Sequence, residues 1–152
     1  MSILPEDVAV RVTLGLGGNL DNPAHAMALA LRTLDARADC QVASVSRLYR
    51  TPPWGKTDQS FFYNSCAALD TTLAPNALID IDLLTYGDLQ QSEPLLTIPH
   101  PRMVERGFVL MPLADFAANL VVSGRTVGEW LGEVDVEGIE VADESRDWWR
   151  TA

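Results

Sequence analysis

The chain has 152 residues and a mass of 16.6 kDa, which fits one domain able to bury a core without disulfide or metal staples. Its 21 acidic and 11 basic residues give a net charge of −10 without a basic stripe, which excludes a general nucleic-acid binder, while 47% apolar content excludes a wholly disordered chain. From Thr126 onward eight acidic residues face two arginines, so that segment holds most of the charge imbalance. No apolar run approaches the roughly 20 residues of a membrane span. Residues 1–7 lack a signal-peptide layout, and Cys40 and Cys66 have neither zinc nor redox spacing. A soluble cytoplasmic protein with two core thiols is expected.

Residues 8–16 alternate, with Val8, Val10, Val12, Leu14 and Leu16 on one side and Ala9, Arg11, Thr13 and Gly15 on the other. That period predicts a strand with one buried face, ended by a turn at Gly17-Gly18-Asn19. Asn22 is placed to cap a helix with Pro23 at its first position. Ala24, Met27, Ala28, Leu31 and Leu34 continue at helical spacing to about Arg37. A second strand is expected over 41–49 and a third over 61–71, with a Pro- and Gly-containing surface loop from Arg50 to Gln59 between them. A fourth strand over 79–86 is apolar except for Asp80 and Asp82. Residues 96–100 and 108–111 read as short extended pieces and 113–118 as helix. Thr126-Val127-Gly128-Glu129 has the pattern of a capping box opening a last short helix. Past Glu133 no period is sustained. The reading is therefore a domain over 1–132 and an acidic tail over 133–152 with little regular structure, packing through Trp148 or Trp149. Strands mixed with helices imply an α/β or α+β sandwich.

Two nucleotide-binding patterns fail. Gly55-Lys56-Thr57 lacks the earlier glycine of a P-loop, since position 50 is Arg50. Gly15-Leu16-Gly17-Gly18-Asn19-Leu20 has Leu20 where a dinucleotide loop needs its last glycine, so these read as turn glycines. Asp80 and Asp82 are different. Two residues apart on a strand, both carboxylates point to one face, where they repel unless a cation lies between them. Mg²⁺ shared with phosphate oxygens fits that arrangement; two solvated aspartates on an edge strand are the alternative. Downstream, His100 stands between Pro99 and Pro101, followed by Arg102 and Arg106, whose guanidinium forks suit phosphate unless they are ordinary surface groups.

Several segments together resemble one family. They are Gly17-Gly18-Asn19-Leu20, Tyr49-Arg50-Thr51-Pro52-Pro53-Trp54-Gly55 and Phe62-Tyr63-Asn64. Asp80-Ile81-Asp82 with Tyr86-Gly87, and Thr97-Ile98-Pro99-His100 through Arg106-Gly107-Phe108, complete the set. In order and spacing they resemble 6-hydroxymethyl-7,8-dihydropterin pyrophosphokinase of the folate pathway, over about residues 10–131. The resemblance implies a ferredoxin-like sandwich with a mainly antiparallel sheet and helices packed on it. It implies transfer of pyrophosphate from ATP to the pterin hydroxymethyl group, with release of AMP. Asp80 and Asp82 then fall on the ligands of two Mg²⁺ ions. His100 and Arg106 fall on the catalytic, phosphate-holding positions, and Thr97 lies on the nucleotide side. Asn64 falls on the residue that hydrogen-bonds the pterin, Phe62 and Phe108 on the pair that sandwiches its ring, and Thr51, Pro52 and Trp54 on the pterin-facing loop. The partners implied are these two small molecules, with neither nucleic acid nor membrane.

The resemblance breaks between Leu78 and Ile79. There the family has a helix and a basic loop of about 24 residues, beyond the dozen or so that a parallel crossover needs. The absent piece carries part of the adenine site, the arginines that close over the phosphates and an aromatic that covers the pterin. The stretch from Leu73 to Leu78 spans at most about 20 Å, too little to cover a sheet face. Either the third and fourth strands pair antiparallel, or residues are missing at this joint. An intact mass of 16.6 kDa marks a true deletion. A true deletion implies the alternative function, a catalytically weakened pterin- and nucleotide-binding homologue. A small regulatory module with solvated aspartates is the remaining alternative.

Overall fold

A valine-rich strand that ends in glycines lies inside the sheet. The structure, a computed structural model, describes residues 8–52, 61–78 and 82–151. Strand β1 is Val10–Gly18 and pairs on both edges, with β4 (Phe62–Thr71) and with β5 (Asp82–Tyr86), antiparallel in each case. Both faces of β1 are covered. Val12 and Leu14 are buried as the alternation predicts, but so is Thr13, whose hydroxyl hydrogen-bonds that of Thr85 at 2.6 Å. The expected turn at Gly17 and Gly18 is strand instead, because both residues pair with β4, opposite Asn64 and Tyr63.

Helix α1 (Pro23–Asp35) forms as expected, with the Asn22 side chain accepting the His25 N–H and Met27, Ala28 and Leu31 buried. The expected second strand is split into β2 (Cys40–Val45) and β3 (Leu48–Thr51), both on β4. The break falls at Ser46, whose hydroxyl accepts the Cys66 N–H at 2.9 Å where a ladder carbonyl would otherwise serve. The sheet runs β3-β4-β1-β5, so β4 and β5 run parallel with β1 between them. An antiparallel β4–β5 pair is not formed, since β1 lies between these strands, and the described part of the connection carries a single 3₁₀ turn, Pro75–Leu78. The described part of the expected fourth strand starts at Asp82; Asp80 and its two neighbours lie outside the described residues, as do residues 53–60.

Two hairpins follow, β6 (Gln91–Glu93) with β7 (Leu96–Ile98), and later β8 (Val121–Val122) with β9 (Arg125–Thr126). Between them α2 runs Gly107–Ala117 as one helix. This corrects the extended reading of 108–111. Pro112 removes only the hydrogen bond to the Phe108 carbonyl, and burial of Val109, Leu110 and Leu113 outweighs that loss. Helix α3 (Val127–Leu131) carries the expected capping box between Thr126 and Glu129.

The segment after Glu133 also needs correction, because it contains strand β10 (Glu140–Asp143) and helix α4 (Trp148–Thr151). β10 pairs with β3, a four-residue edge strand too short to show a period. Trp148 and Trp149 are both buried against α1, and the Trp148 indole N–H donates to the Ser46 carbonyl at 2.9 Å. Ala67 and Cys66 point to opposite sheet faces. The Ala67 face packs on α1 and α4, the Cys66 face on α2 and α3.

On the second face Asp115 of α2 ties down β3. It accepts from the Arg47 backbone N–H at 3.0 Å, from the Arg47 guanidinium at 3.2 Å and from the Tyr49 hydroxyl at 2.7 Å. Burial pushes the Asp115 carboxyl up, but these donors outweigh it and hold the group below the usual carboxylate range.

Candidate active site

The glycines of β1 decide where the site lies. Gly15 and Gly17 point to one face, two residues apart. A Cβ on Gly15 would sit 3.1 Å from Asp82 Oδ2, and one on Gly17 only 2.7 Å from Asn64 Oδ1. Without side chains of its own there, β1 lets Asn64 from β4 and Asp82 from β5 lean in from either side. A cleft of about 490 Å³ opens above this floor, lined also by Phe108 of α2 and Met27 of α1. Gly15 was not among the residues expected at the site. Its signal was the i, i+2 glycine spacing inside a strand, the mark of a close approach from a neighbouring strand.

Asn64 is almost fully buried, and its amide donates to Thr51 Oγ1 at 3.3 Å. Thr51 and Pro52 border a second cleft of about 380 Å³, with Arg102, Arg106 and Phe108. Phe108 lines both clefts. Phe62 opens β4 opposite Thr51 and shares a face with Asn64, yet it lines neither cleft. Trp54 lies outside the described residues.

Asp82 faces His100, with Nε2 3.5 Å from Asp82 Oδ1. The His100 backbone N–H donates to the Leu84 carbonyl at 2.9 Å, which docks the residue on β5. The Arg102 N–H donates to His100 Nδ1 at 3.2 Å. With Nδ1 an acceptor, the neutral ring carries its hydrogen on Nε2, toward Asp82. Arg106 stands where the 3₁₀ turn Met103–Glu105 enters α2, with its guanidinium 5.6 Å from the Phe108 ring centroid. Among the described residues no carboxylate pairs with Arg106. Thr97 sits on β7 with its hydroxyl on the Glu93 carbonyl at 3.4 Å, away from the lining of both clefts. The fold thus gathers Asp82 with His100, Asn64 with Thr51 and Pro52, and Arg106 with Phe108; it leaves Thr97 and Phe62 outside the two clefts.

Asp82 is half exposed, and its Oδ2 lies in the notch left by Gly15. A hard carboxylate oxygen facing an open cleft fits Mg²⁺, which binds through one or two carboxylates and keeps other positions for water and phosphate. No group of three ligating side chains occurs among the described residues, and Asp80 lies outside them.

The family model for 7,8-dihydro-6-hydroxymethylpterin-pyrophosphokinase (HPPK) matches residues 13–79 and 76–118. The chain is 40% identical over 153 residues to the 2-amino-4-hydroxy-6-hydroxymethyldihydropteridine pyrophosphokinase of Methylorubrum extorquens, covering 86% of this chain and 97% of that protein. The protein of the same name from Pseudomonas aeruginosa is 36% identical over 154 residues, covering 86% and 95%. The chain belongs to the HPPK family. HPPK enzymes transfer pyrophosphate from ATP to hydroxymethyldihydropterin in folate biosynthesis. The crystal structure of Plasmodium falciparum HPPK-DHPS superposes with a TM-score of 0.67 at 16% identity, over 82% of this chain and 42% of that one. That agreement in fold bears out the α+β, ferredoxin-like sandwich with a mainly antiparallel sheet. The two pieces of the HPPK match meet at residues 76–79, at the same joint where the sequence parts from the HPPK pattern. Among the described residues no helix is long and apolar enough to cross a membrane.

Proposed function

We propose that this chain catalyses the HPPK reaction in the glycine-floored cleft, with pterin on the Asn64 side and the triphosphate of ATP on the Asp82 side. The observation that carries the reading is the pair of close approaches, Asn64 to Gly17 and Asp82 to Gly15, which put an amide and a carboxylate beside one opening. Asn64 hydrogen-bonds the pterin edge, and the Phe108 ring covers one face of the heterocycle with Phe62 as the second aromatic. Thr51, Pro52 and Trp54 form the pterin-facing loop.

Among the described residues the arginine fork of Arg106 meets no carboxylate, which leaves it available to phosphate oxygens. His100 donates from Nε2 beside Asp82, and Thr97, outside the lining of both clefts, can meet only a part of the nucleotide that extends beyond them. Asp80 and Asp82 hold Mg²⁺, two ions in this reading, and metal bound there supplies charge neutralisation on the transferred group. The pterin hydroxyl oxygen forms a bond to the β-phosphorus as the bond from that phosphorus to the α-phosphate oxygen breaks. AMP leaves, and the hydroxyl proton passes to solvent. What the chain contributes is alignment and charge placement rather than a covalent intermediate. The two buried free thiols, Cys40 and Cys66, support a reducing cytoplasmic setting.

A second reading rests on the joint at residues 76–79, where the HPPK match breaks. In that reading the chain binds both ligands and turns them over weakly, because the arginines that close over the phosphates are absent. One experiment decides between these readings and neither. With Mg²⁺, ATP and 6-hydroxymethyl-7,8-dihydropterin the full chain is expected to release AMP, and a chelator to stop it. Binding of both ligands with only slow AMP release selects the weakened homologue. Formation of ADP in place of AMP contradicts the pyrophosphokinase reading.

A further inference from the structure

The HPPK match ends at residue 118, yet the second cleft takes one wall from far beyond it. Asp135, Glu137 and Ile139 line that cleft together with Thr51, Pro52 and Phe108. The packing there is tight at two points. A Cβ on Gly107 would lie 2.7 Å from the Asp135 carbonyl oxygen, 3.1 Å from Val136 Cγ1 and 3.4 Å from Ile139 Cδ1. Gly107 stands between Arg106 and Phe108, so the segment lies flush against the turn that carries both. A Cβ on Gly138 would lie 2.9 Å from Pro52 Cγ, and Gly138 has φ +83°, a conformation that side chains disfavour. The segment is braced by a bond within itself and tied down at its far end. The Glu137 N–H donates to Asp135 Oδ1 at 2.9 Å, and the Arg50 guanidinium donates to Glu140 Oε1 at 3.0 Å as β10 joins β3.

We infer that residues 135–139 form a strap that walls the pterin side of the site, and that Gly138 and Ile139 are positioning residues for Pro52 and for the turn carrying Phe108. The inference rests on the reading of Asn64, Pro52 and Phe108 as the pterin site. The strap touches Pro52 directly and reaches Phe108 through Gly107, while Asp82 lines only the first cleft. A shift in the strap therefore moves the pterin contacts first, reaches Arg106 only through the Gly107 turn, and leaves Asp82 in place.

The test is equilibrium titration of the full chain with 6-hydroxymethyl-7,8-dihydropterin and, separately, with Mg-ATP, for the native protein and the variants Gly138→Val and Ile139→Ala. Gly138→Val forces a side chain onto Pro52, and Ile139→Ala removes the contact with Gly107 without adding bulk. Pterin affinity is expected to fall about tenfold in each, the scale on which displaced binding groups are felt, with a clearly smaller loss for Mg-ATP, which the strap reaches only through Arg106. If Gly138→Val does not fold, Ile139→Ala with a near-native melting temperature decides. Unchanged pterin affinity in a folded variant overturns the inference, as does an equal loss for both ligands, which marks a purely structural segment. A native chain that binds Mg-ATP but no pterin overturns the underlying reading of the site.

Discussion

Asp82→Ala is expected to remove AMP release by about a thousandfold or more, the scale of losing a preorganised charge-stabilising group. The side chain is half exposed, and it packs beside Gly15 rather than in the core, so its loss opens no buried cavity. The melting temperature should stay near the native value. His100 loses its carboxylate partner at the same time; His100→Ala, which leaves the Asp82 carboxylate in place, separates the two effects. Measured AMP release at the native rate in Asp82→Ala would show that the metal and phosphates do not sit on β5.

Truncation after Leu131 is expected to prevent folding, the reverse of what an acidic tail without regular structure suggests. Two buried tryptophans leave the core, each worth about 3–5 kcal/mol by large-to-small core substitutions. β3 loses its edge partner β10, and the Ser46 and Val45 carbonyls lose the donors Trp148 and Arg146. Against a total stability of about 5–15 kcal/mol, that loss is decisive. Circular dichroism and calorimetry check it directly. A truncated chain with a cooperative, near-native melting transition would show that residues 133–152 stand apart from the domain.

What could be read from sequence follows from how local each signal was. The alternation of β1 and the Asn22-Pro23 start of α1 depend on neighbours in the chain, and both were legible. Burial of Thr13 was not, because the cover on that face comes from residues more than seventy positions away, Thr85 among them. Helix α2 was hidden by a continuous apolar run from Phe108 to Met111, which has no period, and by Pro112. β10 is four residues long and exists through its partner β3, so no local pattern announces it. At the site, the chemistry-bearing side chains Asn64, Asp82, His100 and Arg106 stood out by motif. Gly15 and Gly17 were misread as turn residues, since whether a glycine lies in a turn or a strand depends on pairing with Cys66 and Asn64. Those glycines place the rest.

The central claim is that the floor of β1 brings the pterin group and the phosphate group into one opening, and Gly17→Ala tests it most directly. The substitution adds one methyl and no charge, at a position where the new Cβ lies 2.7 Å from Asn64 Oδ1. Steady-state measurement of AMP release should show the pterin KM raised by about tenfold or more, since a displacement of this size at a binding group carries such a cost. The ATP KM and the melting temperature should remain near native. A Gly17→Ala protein with a native pterin KM would contradict the account and place the pterin elsewhere.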